Sequence, residues 1–190
     1  MANILLLRVP SQGEDDRYAA TFTQAGYRAL PVPVLETVWC NLPTLKSIIE
    51  AGPRAAGFEG VILTSARSSE AWKTVVEDLA DTSSDPGNVG EATAAVLKQM
   101  QQGTPYTPQI IRGEASGTGK RLAQFICEQA DGKPKKLLYL TGDKNRDTVP
   151  TILAQAGVEF RSLKVYETQG SCTFARDLKD ALKIASAGNF

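Results

Sequence analysis

Four loops of this chain are rich in Gly, Ser and Thr, a composition that suits the binding of an anionic ligand. Glycine lets a ligand approach the backbone closely, and helix amino termini present unpaired N–H groups. The same residues also cap helices, and capping alone is the alternative for any single loop. The loops span residues 64–68, 89–93, 112–120 and 141–146, and the candidate ligand contacts in them are Ser65, Arg67, Gly90, Thr93, Gly142 and Arg146.

The two arginines among these candidates follow the ends of predicted strands. A guanidinium group there can pair with a carboxylate through two parallel hydrogen bonds. A solvated surface arginine is the alternative for each of them. Arg67 and Arg146 are therefore candidates for binding a carboxylate ligand.

The residue types that are absent narrow the chemistry. The chain has no histidine, which excludes Ser-His-Asp and Cys-His nucleophile pairs and His-based zinc sites. Its three cysteines are far apart and have no Cys or His neighbour at metal-ligand spacing, so we interpret them as reduced and structural. The loop from Gly113 is not a phosphate-binding loop, because its glycine spacing is one residue too long and Arg121 stands where Ser or Thr must bind magnesium.

The overall composition is that of a globular protein, with 190 residues, 42% hydrophobic and 22% charged. Its 21 basic and 21 acidic residues leave no net charge to attract nucleic acid or an anionic membrane. No apolar run approaches the roughly 18 residues of a membrane span, and no basic segment precedes the first apolar run. We therefore expect a cytoplasmic protein without nucleic-acid or membrane partners.

The loops must be positioned by strands, and the pattern of apolar residues predicts where these strands lie. Short apolar runs at residues 4–7, 60–64, 109–111 and 136–140 are each followed by a segment with helical periodicity. Such repeated strand-then-helix units predict an α/β fold with a parallel sheet and helices on both faces. In that fold the ends of parallel strands bring the loops to one edge.

Two segments predict a division into two lobes. Residues 30–43 contain three prolines and indicate an extended connector, and residues 163–168 form a matching strand that includes Tyr166. If these strands pair, the first lobe holds residues 1–33 and 170–190, and the second holds residues 34–169. The first lobe would have too few elements to cover both faces of a parallel sheet, so we expect it to be incomplete.

The ordered set of segments resembles uroporphyrinogen-III synthase from residue 3 to about residue 170. The matching segments are residues 58–67 with Glu70 and Ala71, 89–94, 113–114, 137–142 with Lys144 and Arg146, and 165–168. The resemblance implies two flavodoxin-like, doubly wound α/β lobes joined by a two-stranded linker. It also implies an active site in the cleft between them.

The family's activity would make this chain a lyase of tetrapyrrole and haem biosynthesis. Its substrate would be hydroxymethylbilane, a linear tetrapyrrole with eight carboxylates, which is closed to uroporphyrinogen III with inversion of the last pyrrole ring and loss of water. The resemblance implies no metal or organic cofactor, and we expect a monomer.

The resemblance also assigns roles to the candidate residues. Tyr166 falls on the tyrosine that assists loss of the hydroxyl group, whereas from the sequence alone a core tyrosine with a satisfied hydroxyl is the alternative. Thr93 falls on a threonine implicated in substrate contact, and Gly90 lies in the same loop. Four further residues fall on loops that face the same cleft, namely Ser65, Arg67, Gly142 and Arg146.

Two departures from the family pattern lead to a second hypothesis. Residues 80–88 lack the apolar strand that precedes the Val89 loop in the family, and no further strand-helix units, each roughly 30 residues long, follow Thr168. We therefore expect a truncated chain, for which the alternative function is a non-catalytic remnant that binds a tetrapyrrole or a partner. A receiver-like signalling domain is disfavoured because no acidic cluster follows the first strand.

Overall fold

The computed structural model describes residues 2–9, 16–80, 110–129 and 136–187, which form six strands and six helices in an α/β fold. The strands are β1 (Asn3–Leu6), β2 (Arg28–Pro31), β3 (Leu35–Trp39), β4 (Gly60–Leu63), β5 (Lys136–Gly142) and β6 (Glu159–Gly170). The helices are α1 (Arg17–Gln24), α2 (Leu42–Ala55), α3 (Ala66–Ala80), α4 (Gly119–Gln129), α5 (Thr148–Gln155) and α6 (Phe174–Ala187), and a short 3-10 turn spans Glu114–Ser116.

The larger sheet has the strand order β3-β6-β5-β4, and its central strand β5 is parallel to both β4 and β6. The two strands predicted as connectors are therefore neighbours in this sheet. Because side chains alternate along a strand, Leu138 and Leu140 of β5 lie on one face and Tyr139 on the other.

Among the described elements, two helices cover each face of β4 to β6. On one face the buried side chains of α2 and α3, among them Leu45 and Val76, pack against Leu140. On the other face α4 and α5 contribute Ala123 and Leu153, which pack against Tyr139. Burial on both faces explains why β5 has the continuous apolar sequence Leu-Leu-Tyr-Leu, and it gives the doubly wound arrangement that the sequence predicts.

The smaller sheet consists of β1 and β2, which are parallel. Leu30 and Val32 are buried there against Ala181 of α6, with Phe174 and Leu178 packed around them. The spacing of these α6 residues is the helical period of one apolar face, which is why α6 forms as the sequence predicts.

Within the described ranges the chain divides into two compact units. One holds the residues up to Val38 and those from Thr168 onward, and the other holds the described residues between Trp39 and Glu167. The domain limits given above, 1–33 with 170–190 and 34–169, stay a prediction, as does the two-lobe arrangement of the family. No helix in the described part of the chain is long and apolar enough to cross a membrane.

One predicted strand is wrong where the structure describes it. Ile110 and Ile111 belong to no strand, and Ile110 is 68% exposed. Two apolar residues are too few to form a strand here, because the turn before α4 already begins at Gly113, which takes the left-handed conformation (φ 78°). The remaining residue of that run and the segment suspected of a strand deletion, residues 81–88, lie outside the described residues.

Candidate functional site

The site begins where β4 ends and α3 starts. The Ser68 amide donates to Ser65 Oγ at 3.1 Å, which caps the first turn of α3, and the Ser69 amide donates to the Ser65 carbonyl. Serine is favoured at such a position because its hydroxyl replaces the missing backbone acceptor. The cap therefore fixes Ser65 at the carboxyl edge of the sheet.

Tyr166 reaches this edge through an irregularity in strand pairing. Thr141 of β5 is opposite Lys164 of β6, but the next residue, Gly142, is opposite Tyr166, so that the register skips Val165. A Cβ atom on Gly142 would lie 2.7 Å from the Tyr166 phenolic oxygen and closer still to two of its ring carbons. Only glycine leaves room for the tyrosine ring at this point.

Three hydroxyl groups form a continuous hydrogen-bonded chain at the site. The Tyr166 phenol lies 3.2 Å from Ser65 Oγ, which lies 2.9 Å from Ser68 Oγ. Ser68 Oγ in turn donates to the Leu140 carbonyl of β5 at 3.2 Å. Ser68 is only 1% exposed, whereas Tyr166 is half-buried. The chain of hydroxyl groups thus runs from the buried Ser68 to a tyrosine that is only partly buried.

Charged groups flank the phenol on helix α3. The guanidinium carbon of Arg67 lies 5.6 Å from the centre of the Tyr166 ring, within the range of a cation–π contact. One turn further, burial raises the pKa of the Glu70 carboxyl, and the nearby Arg67 charge opposes this shift. The site therefore combines a cation with an acid that is more easily protonated than an ordinary glutamate.

The raised pKa of Glu70 predicts a pH-dependent stability. Between the ordinary value of 4.5 and the raised value, the folded chain binds more protons than the unfolded chain, so the free energy of unfolding falls as pH rises through this window. Glu70→Gln has no such titration, and its stability should decline less than that of the wild type from about pH 4 to pH 7. Urea unfolding across this range measures the effect, with Glu50→Gln on the exposed side of α2 as the control. Parallel curves for Glu70→Gln and the wild type would contradict it.

A second polar group holds the loop after β5. Asn145 Nδ2 donates to the Tyr139 hydroxyl at 2.8 Å, and the same hydroxyl lies 3.4 Å from Thr64 Oγ1. Tyr139 is 1% exposed, so this contact ties the loop to the interior of the sheet. Arg146, the next residue, is exposed and extends from an anchored loop.

The structure brings together four of the seven candidate residues, Tyr166, Ser65, Arg67 and Gly142. Arg146 lies in the loop that follows Gly142, and Gly90 and Thr93 lie outside the described residues. In the described ranges, no three His, Cys, Asp or Glu side chains form a group that could hold a metal ion. Three further residues of the site, Ser68, Tyr139 and Asn145, are not among the candidates that the sequence indicates. Of these three, only Ser68 could have been predicted, because a residue three positions after a capping serine lies next to that serine on the helix.

Comparison with known proteins identifies the family. Residues 16–187 match the family model described as Uroporphyrinogen-III synthase HemD. The uroporphyrinogen-III synthase of Saccharomyces cerevisiae is 30% identical over 124 residues, which cover 57% of this chain and 42% of the yeast protein. The chain thus spans under half the length of this relative.

A solved structure shares the fold. The crystal structure of uroporphyrinogen-III synthetase from Helicobacter pylori is similar over 95% of this chain and 68% of that one, with a TM-score of 0.52 and 18% identity. A mutant uroporphyrinogen III synthase from Thermus thermophilus has a TM-score of 0.47 and 20% identity, with coverage of 94% and 69%. On the family match, which includes every described element from α1 to α6, this chain belongs to the uroporphyrinogen-III synthase family.

Proposed function

We propose that this chain is a lyase that converts hydroxymethylbilane to uroporphyrinogen III, with inversion of the last pyrrole ring and loss of water. The observation that carries the proposal is the partly buried Tyr166, whose phenol is held by Ser65 at the carboxyl edge of a parallel sheet. It occupies the place at which ligands bind in open α/β sheets. Family membership selects this reaction among those that such a site could support.

The chemistry suits the residues that are present. Loss of the hydroxyl group as water leaves a cationic azafulvene, so the reaction needs stabilisation of positive charge rather than a strong nucleophile. The face and oxygen of the Tyr166 ring supply electron density for that cation. A chain without histidine is therefore not at a disadvantage.

The substrate's carboxylates need several weak contacts rather than one strong site. Arg67 and Arg146 are exposed at the same edge of the sheet, and each can pair with a carboxylate. Gly142 leaves room for the Tyr166 ring, and helix amino termini at this edge contribute roughly 0.3 to 1 kcal/mol for each anionic group. Ligand contacts by Gly90 and Thr93 are proposed from the family resemblance alone, and Ser65 is proposed to act on the ligand through Tyr166. We also propose a cytoplasmic monomer that requires no metal or organic cofactor and binds neither nucleic acid nor a membrane.

The proposal is tested by supplying hydroxymethylbilane to the purified chain and separating the porphyrin isomers after oxidation. Without an enzyme the substrate closes spontaneously to the type I isomer, so formation of the type III isomer requires catalysis. We expect the type III isomer to dominate. A product mixture identical to that of the enzyme-free control would overturn the proposal, and tetrapyrrole binding without turnover would favour the non-catalytic alternative.

A further inference from the structure

We infer that Ser68 is a positioning residue that sets the direction of the hydroxyl chain, so that Tyr166 offers its substrate a hydrogen-bond acceptor rather than a proton. The inference rests on the proposed function and states how Tyr166 assists the proposed reaction. Its evidence is the set of hydrogen bonds that joins Tyr166, Ser65 and Ser68 to the Leu140 carbonyl.

The direction of the chain follows from its inner end. The Leu140 carbonyl can only accept a hydrogen bond, so Ser68 must use its single hydroxyl proton to donate to it. Ser68 Oγ is then the acceptor in its contact with Ser65, which must donate its own proton there. Because the Ser65 proton is used in this way, the contact between Ser65 and Tyr166 is made by the phenolic proton.

Ser65 is fully occupied by these contacts. The Ser65 hydroxyl donates its one proton to Ser68 Oγ. Its two lone pairs accept hydrogen bonds from the Ser68 amide and from the Tyr166 phenol. Ser65 therefore acts on a ligand through Tyr166 in this arrangement. The Tyr166 oxygen, whose proton is directed toward Ser65, keeps acceptor capacity for a ligand at the less buried end of the hydroxyl chain.

The acceptor fits a group that becomes more positive during the reaction. When the C–O bond of the hydroxymethyl group breaks, the hydroxyl takes a proton from solvent and leaves as water, and the pyrrole nitrogen shares the positive charge that remains. Ring closure with inversion then forms a C–C bond at the substituted α-carbon of the last pyrrole ring, and the bond from that carbon to its old bridge breaks, which returns the positive charge to the neighbouring pyrrole. The released bridge carbon bonds to the free α-carbon of the last ring, and loss of the proton from that carbon restores the neutral pyrrole. A hydrogen bond from the pyrrole N–H to Tyr166 strengthens as this charge develops, so it favours the transition state over the bound substrate.

Removing the Ser68 hydroxyl should therefore affect turnover more than binding. In Ser68→Ala the Ser65 proton loses its acceptor and can turn toward Tyr166, whose phenol no longer has a fixed direction. We expect kcat for the type III isomer to fall about fivefold to tenfold with KM almost unchanged, as for the loss of one oriented hydrogen bond. Ser68→Thr keeps the hydroxyl and should retain most of kcat.

The matched control is Ser69→Ala. Ser69 is the next residue of α3, is equally buried, and directs its hydroxyl to the Ser65 carbonyl rather than into the hydroxyl chain. Its kcat should stay within about twofold of the wild type. Equal kcat values for Ser68→Ala and Ser69→Ala, a higher kcat in Ser68→Ala, or a change in KM alone would each overturn the inference.

Neutron diffraction of the perdeuterated wild-type protein tests the direction without a variant and without an activity assay. We expect the Tyr166 deuterium to point at Ser65 Oγ, the Ser65 deuterium at Ser68 Oγ and the Ser68 deuterium at the Leu140 oxygen. Any of these in the reverse direction would overturn the inference. A wild-type protein that forms no type III isomer but shows the expected deuterium positions would overturn the proposed function alone.

Discussion

Replacing Tyr166 with phenylalanine is expected to lower kcat for uroporphyrinogen III formation about 10- to 100-fold, the range for a hydrogen bond to a charged group. The ring remains, so its packing against Gly142 and beside Arg67 is kept. Only the phenolic oxygen is lost, and with it the acceptor at the end of the hydroxyl chain. Steady-state kinetics with separation of the isomers measures the effect.

The folded state of Tyr166→Phe should change little. Ser65 keeps its bonds to both the hydroxyl and the amide of Ser68, so we expect a cost of at most about 1 kcal/mol in the free energy of unfolding. Tyr27→Phe, which removes the hydroxyl of a 40% exposed tyrosine, is the control and should keep wild-type kinetics. Wild-type kcat in Tyr166→Phe would show that the phenolic oxygen has no part in the reaction.

The second large effect is expected from Gly142→Ala. The added methyl group would overlap the Tyr166 ring, so either the ring or strand β5 must move. Such overpacking costs about 1–3 kcal/mol in the free energy of unfolding. A shift of the ring of about 1 Å breaks its contact with Ser65, and displacement of a reacting group on that scale can cost roughly 10²-fold in rate. Urea unfolding and isomer analysis measure the two losses.

A double-mutant cycle separates this overlap from other effects of the methyl group. In a Tyr166→Ala background the ring is absent, so Gly142→Ala should cost much less stability than in the wild type. Gly170→Ala is the matched control, because a Cβ atom there would have nothing within 4 Å. If Gly142→Ala costs the same with and without the Tyr166 ring, close contact with the ring does not explain the glycine.

The elements of the fold were predictable because the sequence patterns that indicate them are local. The apolar run of β5 and the helical spacing of Val149 and Leu153 in α5 each lie within one segment, and such patterns predict a strand and a helix in any α/β protein. Ser65 was predictable as a helix cap for the same reason. The prediction of a strand at residues 109–111 was wrong at Ile110 and Ile111, because two apolar residues are too few to show the alternation that identifies a strand.

The site itself depends on contacts that the sequence does not contain as a pattern. The register shift between Thr141 and Gly142 is what sets Tyr166 opposite a glycine, and it arises from the pairing of two strands rather than from either strand alone. The bond from Ser68 to the Leu140 carbonyl joins residues that are 72 positions apart. Family resemblance gave Tyr166 and Ser65, but the residue that links them to the sheet needed the fold.

The fraction of uroporphyrinogen III formed from hydroxymethylbilane at increasing chain concentration shows whether this chain catalyses the proposed reaction. We predict that the fraction rises with the concentration of the wild-type chain until the type III isomer is nearly the sole product, and that Tyr166→Phe needs about 10 to 100 times more protein to reach the same fraction. An isomer fraction that stays at the enzyme-free value at every concentration of the wild-type chain would contradict the account.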